Sequence, residues 1–255
     1  MNLTKKIFFL FFLIPLSANA EDGKAIIEKM INKMRGHSNI SEYVMTVKRP
    51  AWTRSVKMKV WDDRARQRVF VRILEPAKDQ GVSFLRIGYN LWNYLPSVEK
   101  VMKLPPSMML QPWMGSDFTN DDLVKESSYI DDYDHVIVGE EGGEEGPILT
   151  KIELIPHPNA PVVWGKVIFW VQKGDNFPGK DLPVMQHFLD EKGKLIKVLD
   201  YKALQKVDGV LLPTLWEMTP MTQQSQSTTL RLINADFDPS PPISDSVFTE
   251  KNLRP

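Results

Sequence analysis

The sequence has no cysteine among its 255 residues. Neither a disulfide nor a thiol nucleophile is available, and no cysteine can carry a lipid anchor. The sequence also lacks a P-loop, a G-x-G-x-x-G loop and a G-x-S-x-G elbow, the motifs of nucleotide binding and serine hydrolysis. We therefore expect a fold that is stabilised by its core alone, and a protein that is not an enzyme.

Metal-ligand patterns are missing as well. None of the four histidines forms an H-x-x-x-H pair: His37, His135, His157 and His187. Acidic residues cluster in four places, none with the spacing of a calcium-binding loop: 62–63, 121–122, 131–134 and 140–145. Adjacent carboxylates of this kind are usually solvated turn or helix-start charges. We predict no metal site and no cofactor.

The first 20 residues have the pattern of a cleavable signal peptide. Lys5 and Lys6 precede the apolar run 7–14, and the small-residue sequence 18–20 ends the segment. The apolar run is well short of the roughly 20 residues that a membrane-spanning helix needs. We expect cleavage after Ala20 and export of a chain that starts at Glu21.

The mature chain is almost neutral. Loss of Lys5 and Lys6 leaves 30 of the 32 basic residues against 32 acidic residues, a net charge of −2. This balance gives no attraction to nucleic acid or to an anionic surface. Because no Pro/Gly/Ser-rich linker or internal repeat divides residues 21–255, we expect one domain.

The periodicity predicts one helix followed by many strands. Residues 22–35 place apolar side chains on one helical face, with Gly36 as a C-terminal stop. After this helix the period changes to two, and strands are predicted at 43–49, 56–60, 69–73, 82–87, 90–96, 133–139, 149–155, 165–172, 183–190, 194–201, 211–218 and 227–236. Short strands at hairpin spacing favour an antiparallel sheet that curls or closes.

The segment 104–125 differs from the rest. Three prolines interrupt it, and its apolar residues do not alternate: Met108, Met109, Leu110, Trp113, Met114, Phe118, Leu123 and Val124. We predict an irregular loop and then a short helix that is capped near Thr119 or Asn120, with Asp121 and Asp122 in its first turn.

Several strands have large apolar residues on both faces. In 165–172, Phe169 and Trp170 are neighbours and so point in opposite directions; in 211–218, Trp216 opposes Leu215. One face could pack on the helix while the other lines a cavity, or both could fill an ordinary core. Four methionines at 102–114 suit a surface that adapts to flexible ligands.

Three runs of sequence resemble the LolA-like outer-membrane lipoprotein-sorting proteins. The run 88–101, Gly-Tyr-Asn-Leu-Trp-Asn-Tyr-Leu-Pro-Ser-Val-Glu-Lys-Val, is similar to their G-x-x-L-W-x-Y-x-P-x-x-x-x-V hairpin. Residues 75–85 resemble the approach to that hairpin. Residues 113–123, Trp-Met-Gly-Ser-Asp-Phe-Thr-Asn-Asp-Asp-Leu, resemble the M-G-S-D-F-x-x-x-D-L segment of a larger subgroup.

The resemblance implies an unclosed antiparallel β-barrel, or strongly curved sheet, with helices across its mouth. In that family the enclosed cavity takes up acyl chains of a lipoprotein, which moves from an inner-membrane transporter to an outer-membrane acceptor. It implies a periplasmic protein that binds lipoprotein or lipid acyl chains. We expect a monomer, and the charge balance gives no nucleic-acid partner. The lid-contacting arginine of the family has four candidates here: Arg49, Arg54, Arg68 and Arg72.

We therefore expect a cavity or lid that is formed by the helix, the hairpin, the irregular segment and later strands. The residues assigned to it are Met30, Met34, Trp92, Tyr94, Met109, Leu110, Trp113, Met114, Phe118, Phe169, Trp170 and Trp216. Two alternatives remain open. A non-enzymatic adaptor of an inner-membrane transporter would have a filled interior, and a periplasmic hydrolase would need titratable groups that converge near His187 or Asp117.

Overall fold

The computed structural model describes residues 22–125, 129–223 and 225–255. The predicted signal peptide lies outside the described residues. Within them, no helix has the length and apolar character needed to cross a membrane.

The first element is helix α1, Gly23–Arg35, within one residue of the prediction. Asp22 caps its start, since the side chain accepts a hydrogen bond of 3.1 Å from the Lys24 backbone N–H. Gly36 ends it with a φ of 63°, and its N–H donates to the Asn32 carbonyl oxygen at 2.9 Å. The buried apolar stripe of α1 includes Ile27 and Met30, which pack on the sheet.

Thirteen strands in the described part of the chain form one antiparallel sheet. They are β1 (Ser38–Arg49), β2 (Trp52–Asp63), β3 (Arg68–Glu75), β4 (Ser83–Ile87), β5 (Asn90–Leu95), β6 (Lys100–Lys103), β7 (Tyr133–Gly142), β8 (Ile148–Pro156), β9 (Lys166–Lys173), β10 (Pro183–Leu189), β11 (Leu195–Val207), β12 (Val210–Pro220) and β13 (Ser227–Phe237). Their spatial order is β6-β5-β4-β3-β2-β1-β13-β12-β11-β10-β9-β8-β7.

The sheet is curled but not closed. Strands β6 and β7 are its two edges, and β1 pairs with β13 in the middle. Strands β3 and β9 are seven strand spacings apart, about 34 Å in a flat sheet. Nevertheless Val71 of β3 and Phe169 of β9 line the same cavity, which requires the sheet to curl around it. The predicted unclosed, mainly β architecture is confirmed.

Helix α1 and the segment 104–125 both lie on the concave face of the sheet, which is here called the inner face. The segment 104–125 is here called the crossing segment. The short helix α2, Asn120–Lys125, ends this segment. The Asp122 backbone N–H donates to Thr119 Oγ1 at 3.3 Å, and the Thr119 N–H donates to Asp122 Oδ2 at 2.6 Å. This reciprocal pair is a capping box with aspartate in place of glutamate, at the predicted position.

The outer face of β3, β4 and β5 is covered by the C-terminal residues. Two 3₁₀ turns, Asp245–Phe248 and Glu250–Leu253, pack Phe248 and Leu253 against a row of outward-pointing side chains that includes Phe70, Leu85 and Tyr94. Ser83 Oγ donates to the Leu253 carbonyl oxygen at 2.6 Å. These strands are therefore apolar on both faces because each face has its own cover.

We predict that Leu253→Ala lowers the free energy of unfolding by about 3 kcal/mol, because it leaves a cavity in the outer cluster. Leu253 is fully buried, whereas Leu204 is 43% exposed on β11. Leu204→Ala is therefore the matched control and should change stability by less than about 0.5 kcal/mol. Urea denaturation followed by tryptophan fluorescence measures both, and equal effects would show that the C-terminal cover does not contribute to the core.

Candidate functional site

The inner face of the sheet, α1 and the crossing segment enclose a cavity of about 170 Å³. Its wall is mostly apolar and is drawn from α1, from the crossing segment and from strands on both halves of the sheet. Six residues that the sequence assigned to the cavity line it: Met30, Met34, Trp113, Phe118, Phe169 and Trp216. The geometry therefore brings together side chains that are up to 186 positions apart in the chain, from Met30 to Trp216.

Three assigned residues lie on the other face of the sheet. Trp92 and Tyr94 belong to the outer cluster under the C-terminal turns, while their neighbours Leu91 and Leu95 face inward. Trp170 also points outward, and its ring centroid lies 4.5 Å from that of His187. The expectation that these three line the cavity is corrected, because strand alternation turns their neighbours Leu91, Leu95 and Phe169 to the inner face instead.

The remaining three assigned residues lie on the crossing segment but do not line the cavity. Met109 and Met114 are partly buried against the inner core. Leu110 is 55% exposed. The segment folds back on itself at this point, since the Trp113 N–H donates to the Phe118 carbonyl oxygen at 2.8 Å. This turn directs Trp113 and Phe118 inward and leaves Leu110 at the surface.

One end of the cavity is polar. Arg35 Nη2 and Nε donate to Asp62 Oδ2 at 2.5 and 2.8 Å, and the side chains of the pair are 9% and 5% exposed. Asn39 adds a bond of 3.3 Å to the same oxygen and one of 3.0 Å to the Arg35 carbonyl oxygen. The ion pair joins the end of α1 to β2, so it fixes the helix across the concave face.

A second ion pair lies at the crossing segment. Lys197 Nζ donates to Asp122 Oδ2 at 2.5 Å, and the Lys197 side chain is only 4% exposed. The ammonium also lies 4.7 Å from the Trp164 ring centroid and 4.8 Å from that of Phe188. This pair connects α2 to β11 in the way that Arg35 and Asp62 connect α1 to β2.

A chain of neutral hydrogen bonds continues along the wall. Tyr201 donates through its hydroxyl to Gln186 Oε1 at 2.9 Å, and Gln186 Nε2 donates to the Tyr129 hydroxyl at 3.0 Å. Burial raises the pKa of Tyr129 well above its ordinary value, and burial likewise raises the pKa of Tyr133. Both phenols are therefore neutral at physiological pH, and the wall here offers hydrogen bonds without charge.

The polar residues of the wall were missed by the sequence analysis. The burial of Lys197 could have been predicted from the sequence, because strand alternation places it on the same inward face of β11 as Leu199 and Tyr201. A lysine on an apolar face predicts a buried ion pair. Asp62 and Asp122 were noted only as members of acidic clusters, and their partners are distant in sequence.

The two residues named for a hydrolase do not converge. His187 lies on the outer face beside Trp170, where burial lowers the pKa of its imidazole. Asp117 accepts bonds from Arg49 and from the Thr228 hydroxyl. Neither residue lines the cavity. Among the described residues, no three His, Asp or Glu side chains come together as metal ligands.

Two of the four candidate arginines, Arg49 and Arg54, bind the crossing segment to the sheet. Together with Thr228 they form a set of hydrogen bonds that is here called the clamp. Arg49 Nη1 donates to Asp117 Oδ2 at 2.9 Å and its Nη2 to the Gly115 carbonyl oxygen at 3.0 Å, while Arg54 donates to the Met114 carbonyl oxygen. Thr228 Oγ1 of β13 donates to the same Asp117 oxygen at 2.6 Å. The other two candidates, Arg68 and Arg72, contact the C-terminal turns instead.

We predict that Asp117→Ala loosens the crossing segment without unfolding the sheet, because it removes the acceptor shared by Arg49 and Thr228. Loss of bonds to a charged group costs about 1.5–3 kcal/mol, so amide hydrogen exchange in 113–119 should accelerate by at least about tenfold. The exposed pair of Asp175 and Lys180 provides the control, and Asp175→Ala should leave this exchange unchanged. Unaltered exchange in Asp117→Ala would show that the clamp does not hold the segment.

Solved structures share this architecture. A DUF1329 family protein from Desulfovibrio piger superposes with a TM-score of 0.80 and 22% identity, covering 91% of this chain and 98% of that one. A LolA superfamily protein from Nitrosomonas europaea gives a TM-score of 0.75 at 20% identity, with 91% and 100% covered. A domain described as an outer membrane lipoprotein-sorting protein, from Vibrio parahaemolyticus, gives 0.71 at 20% identity, with 89% and 99% covered.

The comparison with curated proteins finds no match. A family model described as "Uncharacterized protein" matches residues 65–255, which is more than half of the chain. The chain therefore belongs to the family that this model describes, and its fold is the LolA-like fold.

Proposed function

We propose that the protein is a periplasmic carrier: it takes acyl chains of a lipoprotein or lipid into the inner cavity and carries them toward the outer membrane. The observation that supports this most is the apolar cavity between a curled sheet and a hydrogen-bonded crossing segment. The proposed mature protein is a monomeric single domain, residues 21–255, released by cleavage after Ala20.

The energetics of an acyl chain require such a cavity. Each CH₂ group that leaves water contributes about 0.8 kcal/mol, so a carrier needs apolar surface more than it needs polar catalytic groups. The side chains of Met30, Phe118 and Trp216 offer that surface from three different elements. Methionine adds adaptability, because its unbranched thioether packs against flexible chains.

The present cavity is smaller than a whole chain. A dry apolar cavity of about 150 Å³ holds one benzene molecule, so 170 Å³ holds only part of an acyl chain. Uptake of the rest requires the crossing segment to move from the inner face. That segment is attached to the sheet by hydrogen bonds and two ion pairs rather than by strand pairing over its length, so it is the element suited to act as a lid.

The similar structures support a carrier-type fold, and one of them is described as a lipoprotein-sorting protein. On this proposal the cargo comes from an inner-membrane transporter and goes to an outer-membrane acceptor. The small cavity volume is also what an adaptor with a filled interior would show, so adaptor of a transporter complex is the second candidate. The two differ in one property: a carrier binds lipid and an adaptor does not.

We predict that Trp113→Gln combined with Phe118→Gln weakens fatty-acid binding by at least about tenfold, because both side chains line the cavity and lose apolar contact with the chain. Titration with a fluorescent fatty acid measures the affinity, and circular dichroism checks the fold. Trp52→Gln is the control, since Trp52 is 48% exposed at the β1–β2 turn. Leu230→Gln provides an independent variant on the opposite wall, with the same expectation.

Native mass spectrometry of protein purified from a Gram-negative periplasm distinguishes the two candidates. Phospholipid or acylated peptide that co-purifies, and that a fatty-acid probe displaces, supports the carrier. Protein that is free of lipid and ignores added lipid contradicts the carrier and favours the adaptor.

A further inference from the structure

A second cavity, of about 440 Å³, lies between the crossing segment and the inner face of β4 and β5. Phe84 and Leu95 form its floor, and Trp113 forms part of its wall. Trp113 also lines the first cavity, so the two cavities adjoin at this one side chain. The second cavity differs from the first in its chemistry.

Four residues of the second cavity each have one buried polar atom without a hydrogen-bond partner among the described residues: Arg54 Nε, Asp79 Oδ2, Asn93 Oδ1 and Trp113 Nε1. Trp113 as a whole is only 3% exposed. Buried polar atoms are almost always paired, and each unpaired one costs about 1–3 kcal/mol. Four in the wall of one cavity therefore indicate a binding site for a polar group.

The pattern of these atoms specifies the ligand. Arg54 Nε and Trp113 Nε1 are donors and require acceptors, whereas the Asp79 and Asn93 oxygens are acceptors and require donors. Among the described residues of the wall, Arg54 and Asp79 are the only charged ones, and their formal charges sum to zero. The complementary group has an anionic acceptor at one end, a cationic N–H donor at the other, and no net charge.

We propose that the second cavity binds the head of a phospholipid that carries a phosphate and a primary ammonium group, with an acyl chain of the same molecule in the first cavity. This inference rests on the proposed carrier function and narrows its cargo to a zwitterionic phospholipid. The phosphate accepts from Arg54 and Trp113, and the ammonium donates to Asp79 and Asn93. A quaternary ammonium head cannot make the second pair of bonds, because it has no N–H.

Calorimetric titration of the full mature chain with three short-chain phospholipids of equal chain length tests the proposal. The dihexanoyl phosphatidylethanolamine should bind about tenfold more tightly than the phosphatidylcholine, which lacks the N–H donors, and than the phosphatidylglycerol, which adds a net negative charge. Equal affinities for the three would overturn the head-group site and leave the carrier function intact. No binding of any lipid, including a fatty acid, would overturn both.

Substitution of the acceptors gives a second measurement. Asp79→Asn should weaken phosphatidylethanolamine binding by about tenfold and leave phosphatidylcholine binding unchanged; Asn93→Ala carries the same expectation should Asp79→Asn fail to fold. Asp175→Asn, in an exposed turn, is the matched control. A loss of affinity for both lipids alike contradicts a specific role for these acceptors.

Glycerophosphoethanolamine, which has the head and no chain, separates a lipid site from a site for a free small molecule. Binding at least about a hundredfold weaker than that of the lipid supports one ligand that occupies both cavities. Binding as tight as that of the lipid would overturn the assignment of head and chain to one molecule.

Discussion

The whole architecture depends on one topological constraint. Strands β1 to β6 form one half of the sheet and β7 to β13 the other, and the two halves join through β1 and β13 at the centre. The chain therefore leaves the sheet at one edge, after β6, and re-enters it at the other edge, before β7. In a curled sheet the short path between the edges runs across the mouth, so the crossing segment covers the inner face by necessity.

This constraint explains where the polar interactions lie. A segment that crosses an apolar concave face has few backbone partners there, so it needs side chains from the sheet to accept or donate. Arg49, Arg54, Thr228 and Lys197 provide them from strands on both sides of the centre. The Arg35–Asp62 pair does the same for α1. The charges inside this molecule thus hold its covers in place, while most of the cavity wall between them is apolar.

The sequence was sufficient to predict what local periodicity and capping control. The helix at 22–35, the alternation in β2 and β3 and the cap at Thr119 all follow from neighbouring residues and agree with the structure. The assignment of Trp113 and Phe118 to the cavity or lid rested on the resemblance and on apolar character, and in the structure both side chains line the first cavity. Strand β6 was absent from the predicted set, because four residues with two lysines give little periodic signal.

What could not be predicted depends on elements that meet only in the folded chain. The sequence places Trp92 and Tyr94 in the cavity, because nothing in residues 239–255 indicates that this C-terminal segment covers the outer face of their strand. The direction of the Trp170 side chain was ambiguous for a similar reason. When a strand has large apolar residues on both faces, its sequence does not reveal which face lines the cavity. The partners of Asp117 and Asp122 lie 68 to 111 residues away, so neither the clamp nor the Lys197 pair is visible from spacing.

On the proposed function, loading and release follow from a near balance between two free energies: the gain from burying an acyl chain and the cost of detaching the crossing segment from the sheet. About six CH₂ groups fit the present cavity and contribute about 5 kcal/mol, whereas a 16-carbon chain would contribute about 13 kcal/mol. The difference, about 8 kcal/mol, becomes available only when the crossing segment moves. Four hydrogen bonds of the clamp, three from arginine and one from Thr228 to the Asp117 carboxylate, then break at a cost of about 1.5–3 kcal/mol each, because each involves a charged group. The cost is of the same order as the gain, so a chain that enters is held without being trapped, and an acceptor that binds the chain slightly better can remove it.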